Sequence, residues 1–280
     1  ILAVSSSSCI SSKPLSPYDM IMISLSSCRI ILQSWIILDL FLTIFCEPSY
    51  FEENVFVVIK TAYMFLNYSS FWFGACLSVF YCIKVASFTQ SFFIWLKQRI
   101  ARLVPWMLLT SSLYSLATAV PFAWGDYGVH NFTAPLPMTN SSAVRTTRKD
   151  SLGLLILLCN AGVSLPLILS VVSSVLLIRS LWVHTRQMQN KASGFRDPSL
   201  EAHMKAIKSI CSFLIFYIIY FIGFIFLLCN IFSRFSIAKS ICIAIVAACP
   251  TGHTMVLIWS NPKFQELPAR IWHHTNCPVR

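Results

Sequence analysis

From Val55 to Ile83 the chain is apolar but for Lys60, and from Asn67 to Cys82 it carries no charge. A helix rises about 1.5 Å per residue, so this stretch is long enough to cross the ~30 Å hydrocarbon layer of a bilayer with some tilt. It stops at Lys84 and changes into an aromatic and basic segment, Trp95-Leu96-Lys97-Gln98-Arg99-Ile100-Ala101-Arg102. Membrane helices meet the cytoplasmic face in this way. The competing reading is a buried helix of a soluble protein, which needs polar residues elsewhere to cover its core. The chain lacks them: 56% of its 280 residues are hydrophobic and 11% charged, whereas a soluble domain carries roughly 25% charged residues.

The net charge of +11 raises nucleic acid as a partner. Lys and Arg, however, sit at the ends of apolar runs and form no patch interleaved with aromatics, so topology explains them and nucleic acid is excluded. The eleven cysteines form no CxxC pair, which argues against zinc or redox chemistry. Cys28, Cys76, Cys82, Cys211, Cys242 and Cys249 lie inside apolar runs and read as small hydrophobic residues. Cys46, Cys159 and Cys229 lie near helix ends, where a disulfide is open but not indicated.

Read in order, residues 1–10 are expected to be the remnant of a first helix, because the chain opens on Ile1 within an apolar run. Pro14 and Pro17 disfavour helix in the residues before them, so the next span is expected over 18–43. Further spans are expected over 55–83, 103–124, 152–181, 203–230 and 240–259, with a cytoplasmic tail over 260–280. Pro105 is placed in the first turn of its span, where a missing N–H costs little. Residues 125–151 form the long polar loop, and it holds two Asn-X-Ser/Thr sequons, at Asn131 and Asn140.

The charge bias orders the two sides. Lys13, then Lys97, Arg99 and Arg102, then Arg186, Lys191 and Arg196, then Lys263 and Arg270 fall on one side, which the positive-inside rule makes cytoplasmic. Glu47, Glu52, Glu53 and Asp126 fall on the other, together with both sequons, whose glycan is added only on the lumenal side. Arg145, Arg148 and Lys149 run against this bias within the longer loop.

No catalytic arrangement of Ser, His and Asp has a local signature, so no enzyme is indicated. Arg29 lies mid-span, where a cation in lipid costs from roughly 2.5 kcal/mol upwards, so it is expected to face the bundle interior and find acceptors. His253 reads either as a hydrogen-bonded core histidine or as a switch residue. His273-His274 has no third ligand spaced beside it, so no metal site is indicated.

Several motifs, in order, resemble those of the type 2 bitter taste receptors, a group of G-protein-coupled receptors. Leu15-Ser16-Pro17-Tyr18-Asp19 and Leu25-Ser26-Ser27-Cys28-Arg29 resemble that family's first inner loop and second helix. Trp72, Cys76-Leu77-Ser78-Val79-Phe80-Tyr81 and Lys84-Val85-Ala86 resemble its third helix. Ser164-Leu165-Pro166 and Ser180-Leu181-Trp182-Val183-His184 resemble its fifth. Asp197-Pro198-Ser199 with Ala202-His203-Met204-Lys205-Ala206-Ile207-Lys208 resembles the entry to its sixth, and Pro250 with His253-Thr254 its seventh.

The resemblance implies an all-α, multi-pass membrane protein: a seven-transmembrane-helix receptor bundle, here with a truncated first helix. It implies a small-molecule bitter agonist, a gustducin-like heterotrimeric G protein, a lipid bilayer and no cofactor. Tyr63, Asn67, Tyr220, Ile243 and Val246 match the family's ligand-pocket positions. Arg29 and Thr254 match positions proposed to interact between the second and seventh helices. His184, His203, Lys205 and Lys208 match inner-face positions near the G protein, and Asn131 and Asn140 would supply the glycan of the second outer loop. For Tyr63 an interface aromatic, for Asn67 a helix–helix hydrogen bond, for Tyr220 core packing, and for Lys205 and Lys208 lipid headgroups are the plainer readings. A small transporter or channel, or a non-functional receptor fragment, are the alternatives.

Overall fold

The computed structural model describes residues 15–45, 52–85, 91–131, 153, 157, 162–180, 182–183, 198–228 and 237–260, without the side chains of 43, 122–131, 198–206, 228 and 260. These residues form α1 (Pro17–Phe45), α2 (Glu53–Val85), α3 (Ser91–Asn131), α4 (Gly162–Ser180), α5 (Pro198–Leu228) and α6 (Ile237–Ser260). All six contain a segment long and apolar enough to cross a membrane. In chain order they take the places of the second to seventh helices of the resemblance; residues 1–14 lie outside the described residues.

Local chemistry explains where the helices begin. Pro17 opens α1, where its missing N–H is no loss, and the Ser16 carbonyl accepts the Met20 N–H at 3.0 Å. Asp19 adds a negative charge to that positive helix end. The carbonyl of Glu52 accepts the Phe56 N–H at 2.9 Å, with Glu53 in the first turn of α2 and Lys84 in its last, each matched to the dipole. Pro198 opens α5 in the same manner as Pro17.

One span departs from expectation by more than a full turn at both ends. Helix α3 has 41 residues and runs from Ser91 to Asn131, not 103 to 124. The segment before Leu103 has no Gly or Pro and is rich in helix formers, and Arg99 stacks over the Trp95 ring one turn away, 5.1 Å from its centroid. Pro105 therefore lies in the helix interior, not in a first turn. At the other end Pro121 removes one N–H without ending the helix, which runs on through Gly125 to Asn131. Part of the expected outer loop is thus helical.

Helix α2 is the axis of the bundle. It packs against α1, α3 and α5; α5 packs against α6, and α1 also meets α3 and α6. Towards the Glu53 end, Met64, Tyr68, Phe71, Val163, Phe213, Tyr217, Tyr220, Phe224 and Val246 form one core. Towards the Lys84 end, Ile21, Leu25, Phe73, Leu77, Phe80, Val104 and Leu257 form another. Glycines set the closest approaches. A Cβ on Gly74 would lie 2.5 Å from the Phe213 ring, and one on Gly252 would lie 2.6 Å from Phe216, so α5 beds one aromatic into α2 and one into α6.

The outside of the bundle is apolar: Ile37, Phe41, Trp106, Ile168, Ile215 and Met255 are exposed. That is the surface a lipid solvent requires. Polar side chains turn inward or fold back on their own helix. Ser112, Ser115 and Thr118 of α3 and Ser170, Ser173 and Ser174 of α4 donate to carbonyls four residues before them.

Candidate functional site

Two polar centres lie in the bundle, one above the other along α2. The first is built on the face of α2 that carries Tyr63 and Asn67, at i and i+4. Asn67 is 2% exposed, and its amide nitrogen donates to the Tyr220 hydroxyl on α5. Tyr63 is also a hydrogen-bond partner of Tyr220, so a single phenol gathers both α2 side chains. Around them the Phe71 ring stacks on Tyr217 at 4.3 Å and meets the Tyr220 ring edge-on at 4.5 Å. The Tyr217 hydroxyl donates to the Val163 carbonyl of α4. Tyr220 stacks on Phe224 at 5.7 Å.

Four of the five expected ligand positions thus fall together, since Val246 of α6 belongs to the same cluster as Tyr63 and Tyr220, and Asn67 bonds into it. Ile243 does not. It is 48% exposed and stands outside the cluster. The buried stripe of α6 is Cys242, Val246, Cys249, His253 and Leu257 at helical spacing, and Ile243 is one position, about 100°, off that stripe.

The second centre is built on Arg29 of α1, which is 6% exposed. Its guanidinium donates from Nε to the Ser70 hydroxyl at 3.2 Å, from one terminal nitrogen to the Thr254 hydroxyl at 2.8 Å, and from the other to His253 Nδ1 at 2.9 Å. A guanidinium only donates, so Nδ1 of His253 accepts and its ring proton lies on Nε2. One side chain therefore holds α1, α2 and α6 through three neutral acceptors. Thr254 also donates to the Pro250 carbonyl at 2.9 Å, and the His253 ring lies 5.0 Å from that of Phe213 on α5. The expected partnership of Arg29 with Thr254 is present, and His253 joins it. Ser70 was not anticipated, although a hydroxyl in an uncharged span beside a buried cation is the signal that points to it.

Gln33, one turn after Arg29, was missed as well. It donates to the Ala247 carbonyl at 2.9 Å and the Thr251 hydroxyl at 3.2 Å, tying α1 to α6 a second time. Closer to the Glu53 end, Lys60 pairs with Asp39 of α1 at 3.0 Å, and the indole N–H of Trp35 donates to the Ile59 carbonyl at 3.1 Å.

The remaining expected residues lie at the margins. His203 and Lys205 lie on the first turns of α5, and Lys208 is exposed one turn on. Asn131 is the last residue of α3. His184 and Asn140 lie outside the described residues, as do Cys46, Cys159 and Cys229. The six described cysteines are free thiols.

The chain as a whole is similar to known proteins. The family model described as taste receptor protein (TAS2R) matches residues 1–276. Taste receptor type 2 member 40 of Gallus gallus is 62% identical over 281 residues, covering 100% of this chain and 90% of that one. Taste receptor type 2 member 39 of Homo sapiens is 35% identical over 272 residues, covering 97% and 80%. Taste receptor type 2 member 2 of Homo sapiens is 34% identical over 275 residues, covering 97% and 89%.

Proposed function

The chain belongs to the type 2 taste receptor family, and from that premise we propose that its Tyr63–Asn67–Tyr220 cluster is the agonist site, read out by a gustducin-like heterotrimeric G protein. As a member of that family it is a multi-pass membrane receptor for small bitter molecules, coupled to a G protein, and not an enzyme. Membership displaces the transporter or channel alternative.

The observation that carries the site is the bond from Asn67 to Tyr220, which joins α2 to α5 inside an aromatic cluster. A small apolar molecule with a hydrogen-bonding group fits such surroundings, because the rings supply contact area and the phenols and amide supply direction. Val246 lines the same place from α6, whereas Ile243 stands outside the cluster.

The Glu53 end of α2 is the outer end in this reading and the C-terminus is cytoplasmic, in the plasma membrane. Support comes from the basic residues Lys84, Lys97, Arg99 and Arg102 at the opposite end. Asn131 and Asn140 then carry the outer glycan. His184, His203, Lys205 and Lys208 take the G-protein side. An agonist that binds the active arrangement more tightly than the resting one shifts the population towards it. Arg29, with Thr254 and His253, couples the outer site to the inner ends, because its three bonds hold α1, α2 and α6 in one register.

The test is G-protein activation by a bitter-compound panel in cells, for the full chain and for Asn67→Ala. Loss of response to pocket agonists with unchanged surface expression is expected. An Asn67→Ala receptor that answers every agonist at unchanged concentration removes this cluster from the site.

A further inference from the structure

We propose that Lys60 is an anion-recognition residue of the agonist site, with Asp39 as its resident competitor, so that this receptor favours agonists bearing a carboxylate on an apolar, aromatic body. The inference rests on the reading of the Tyr63–Asn67–Tyr220 cluster as the agonist site and adds the substrate class to it.

Lys60, Tyr63 and Asn67 stand at i, i+3 and i+7 on α2, which places them along one face of the helix. Lys60 is the first of the three as the chain enters from the Glu53 end. Its ammonium lies 3.0 and 3.3 Å from the two Asp39 oxygens and 5.7 Å from the centre of the Phe56 ring. Lysine, phenol and amide make a row of hydrogen-bond donors leading towards the aromatic cluster, and a row of donors selects a molecule that brings acceptors.

Holding α1 to α2 is too small a task for this pair. The Trp35 indole already joins those helices at Ile59, and Leu42 packs on Phe56 and Ile59 beside it. Two apolar residues would serve that seam in lipid without desolvating two ions, and ionisable side chains within a span are kept where function needs them. Both members of the pair are 21% exposed, open enough for exchange. Asp39 reaches Lys60 from α1, the helix that does not carry the donor row, so the carboxylate can be replaced without disturbing Tyr63 or Asn67. An agonist carboxylate that takes its place keeps the ammonium paired and lays the rest of the molecule against Tyr63 and Tyr220.

The experiment uses aromatic carboxylic acids and their methyl esters as matched probes, with G-protein response and surface labelling read in the same cells. Lys60→Met is expected to raise the half-maximal concentration of the acids about tenfold and leave the esters unmoved, the loss of one charge-assisted bond. Asp39→Asn is expected to lower it for the acids several-fold. Asp39→Leu with Lys60→Met leaves no unpaired ion and is expected to behave as Lys60→Met, which covers the case in which the single variant fails to reach the surface. Equal shifts of acids and esters in the double variant, or unchanged acid potency in Asp39→Asn, overturn the proposal. So does a wild-type receptor that answers esters or neutral bitter compounds but no acid. A wild-type receptor silent to every compound overturns the agonist-site reading beneath it.

Discussion

Asn67 and Tyr220, 153 residues apart in the chain, share a buried hydrogen bond in which the amide nitrogen donates to the phenol oxygen. Tyr220→Phe leaves that N–H without its acceptor in an aromatic cluster, at a cost of about 1–3 kcal/mol. Asn67→Ala also removes the donor. The double variant is therefore expected to lose less stability than the two single losses added together. Thermal unfolding of the four purified proteins in nanodiscs closes this double-mutant cycle. A strictly additive result would show that the bond contributes nothing of its own.

Arg29 is expected to behave asymmetrically towards its partners. His253→Leu takes away one of three acceptors and leaves a buried cation poorly satisfied, at a cost of about 1–3 kcal/mol. Arg29→Met combined with His253→Leu removes the charge as well. The double variant should recover surface expression relative to His253→Leu, yet signal poorly, because the one side chain that joins α1, α2 and α6 at a single point is gone. Surface labelling and G-protein response measured side by side separate the two effects, and equal expression of the two variants would contradict this account.

Gly74→Ala places a methyl group 2.5 Å from the Phe213 ring. That ring is also stacked on Tyr217 at 5.5 Å and lies close to His253, so it has little room to turn. Overpacking of this kind costs roughly 1–3 kcal/mol. It pushes α5 away from α2 at the level of Gly74, and we propose that this separation favours the active arrangement. Basal G-protein activity is expected to rise several-fold. Adding Phe213→Ala should return it to the wild-type level, and failure of that second change to do so would locate the effect elsewhere.

The membrane orientation has its own test. Asn131→Gln and Asn140→Gln, singly and together, are expected to remove mass that a glycosidase also removes from the wild-type receptor. Unchanged mobility of the double variant on a gel would leave Asn131 and Asn140 without glycan and take away one support for the sidedness.

The membrane spans are legible in the sequence because apolar runs of this length have one use, and Arg29 was legible because a mid-span cation must find acceptors. What the apolar run does not encode is which residue faces which neighbour. Val246 and Ile243 are both β-branched and apolar, and only the packing of α6 on α5 puts the first inside and leaves the second out. Gln33 escaped notice because a lone amide in a span has no pattern, although it sits one turn from Arg29 and faces the same helix. The start of α3 was misplaced along with Pro105, which was put in a first turn and lies in the helix interior. A proline removes one backbone donor, and a helix with enough neighbours continues past it.

The hydroxyls of α3 and α4 that turn back onto their own carbonyls have a wider consequence. Spent at home, they stitch nothing to the next rod, so α3 and α4 lean on their neighbours largely by shape while most polar clasps gather on α1, α2, α5 and α6. Evolution can recarve such surfaces residue by residue without unpicking the clasps between the other rods.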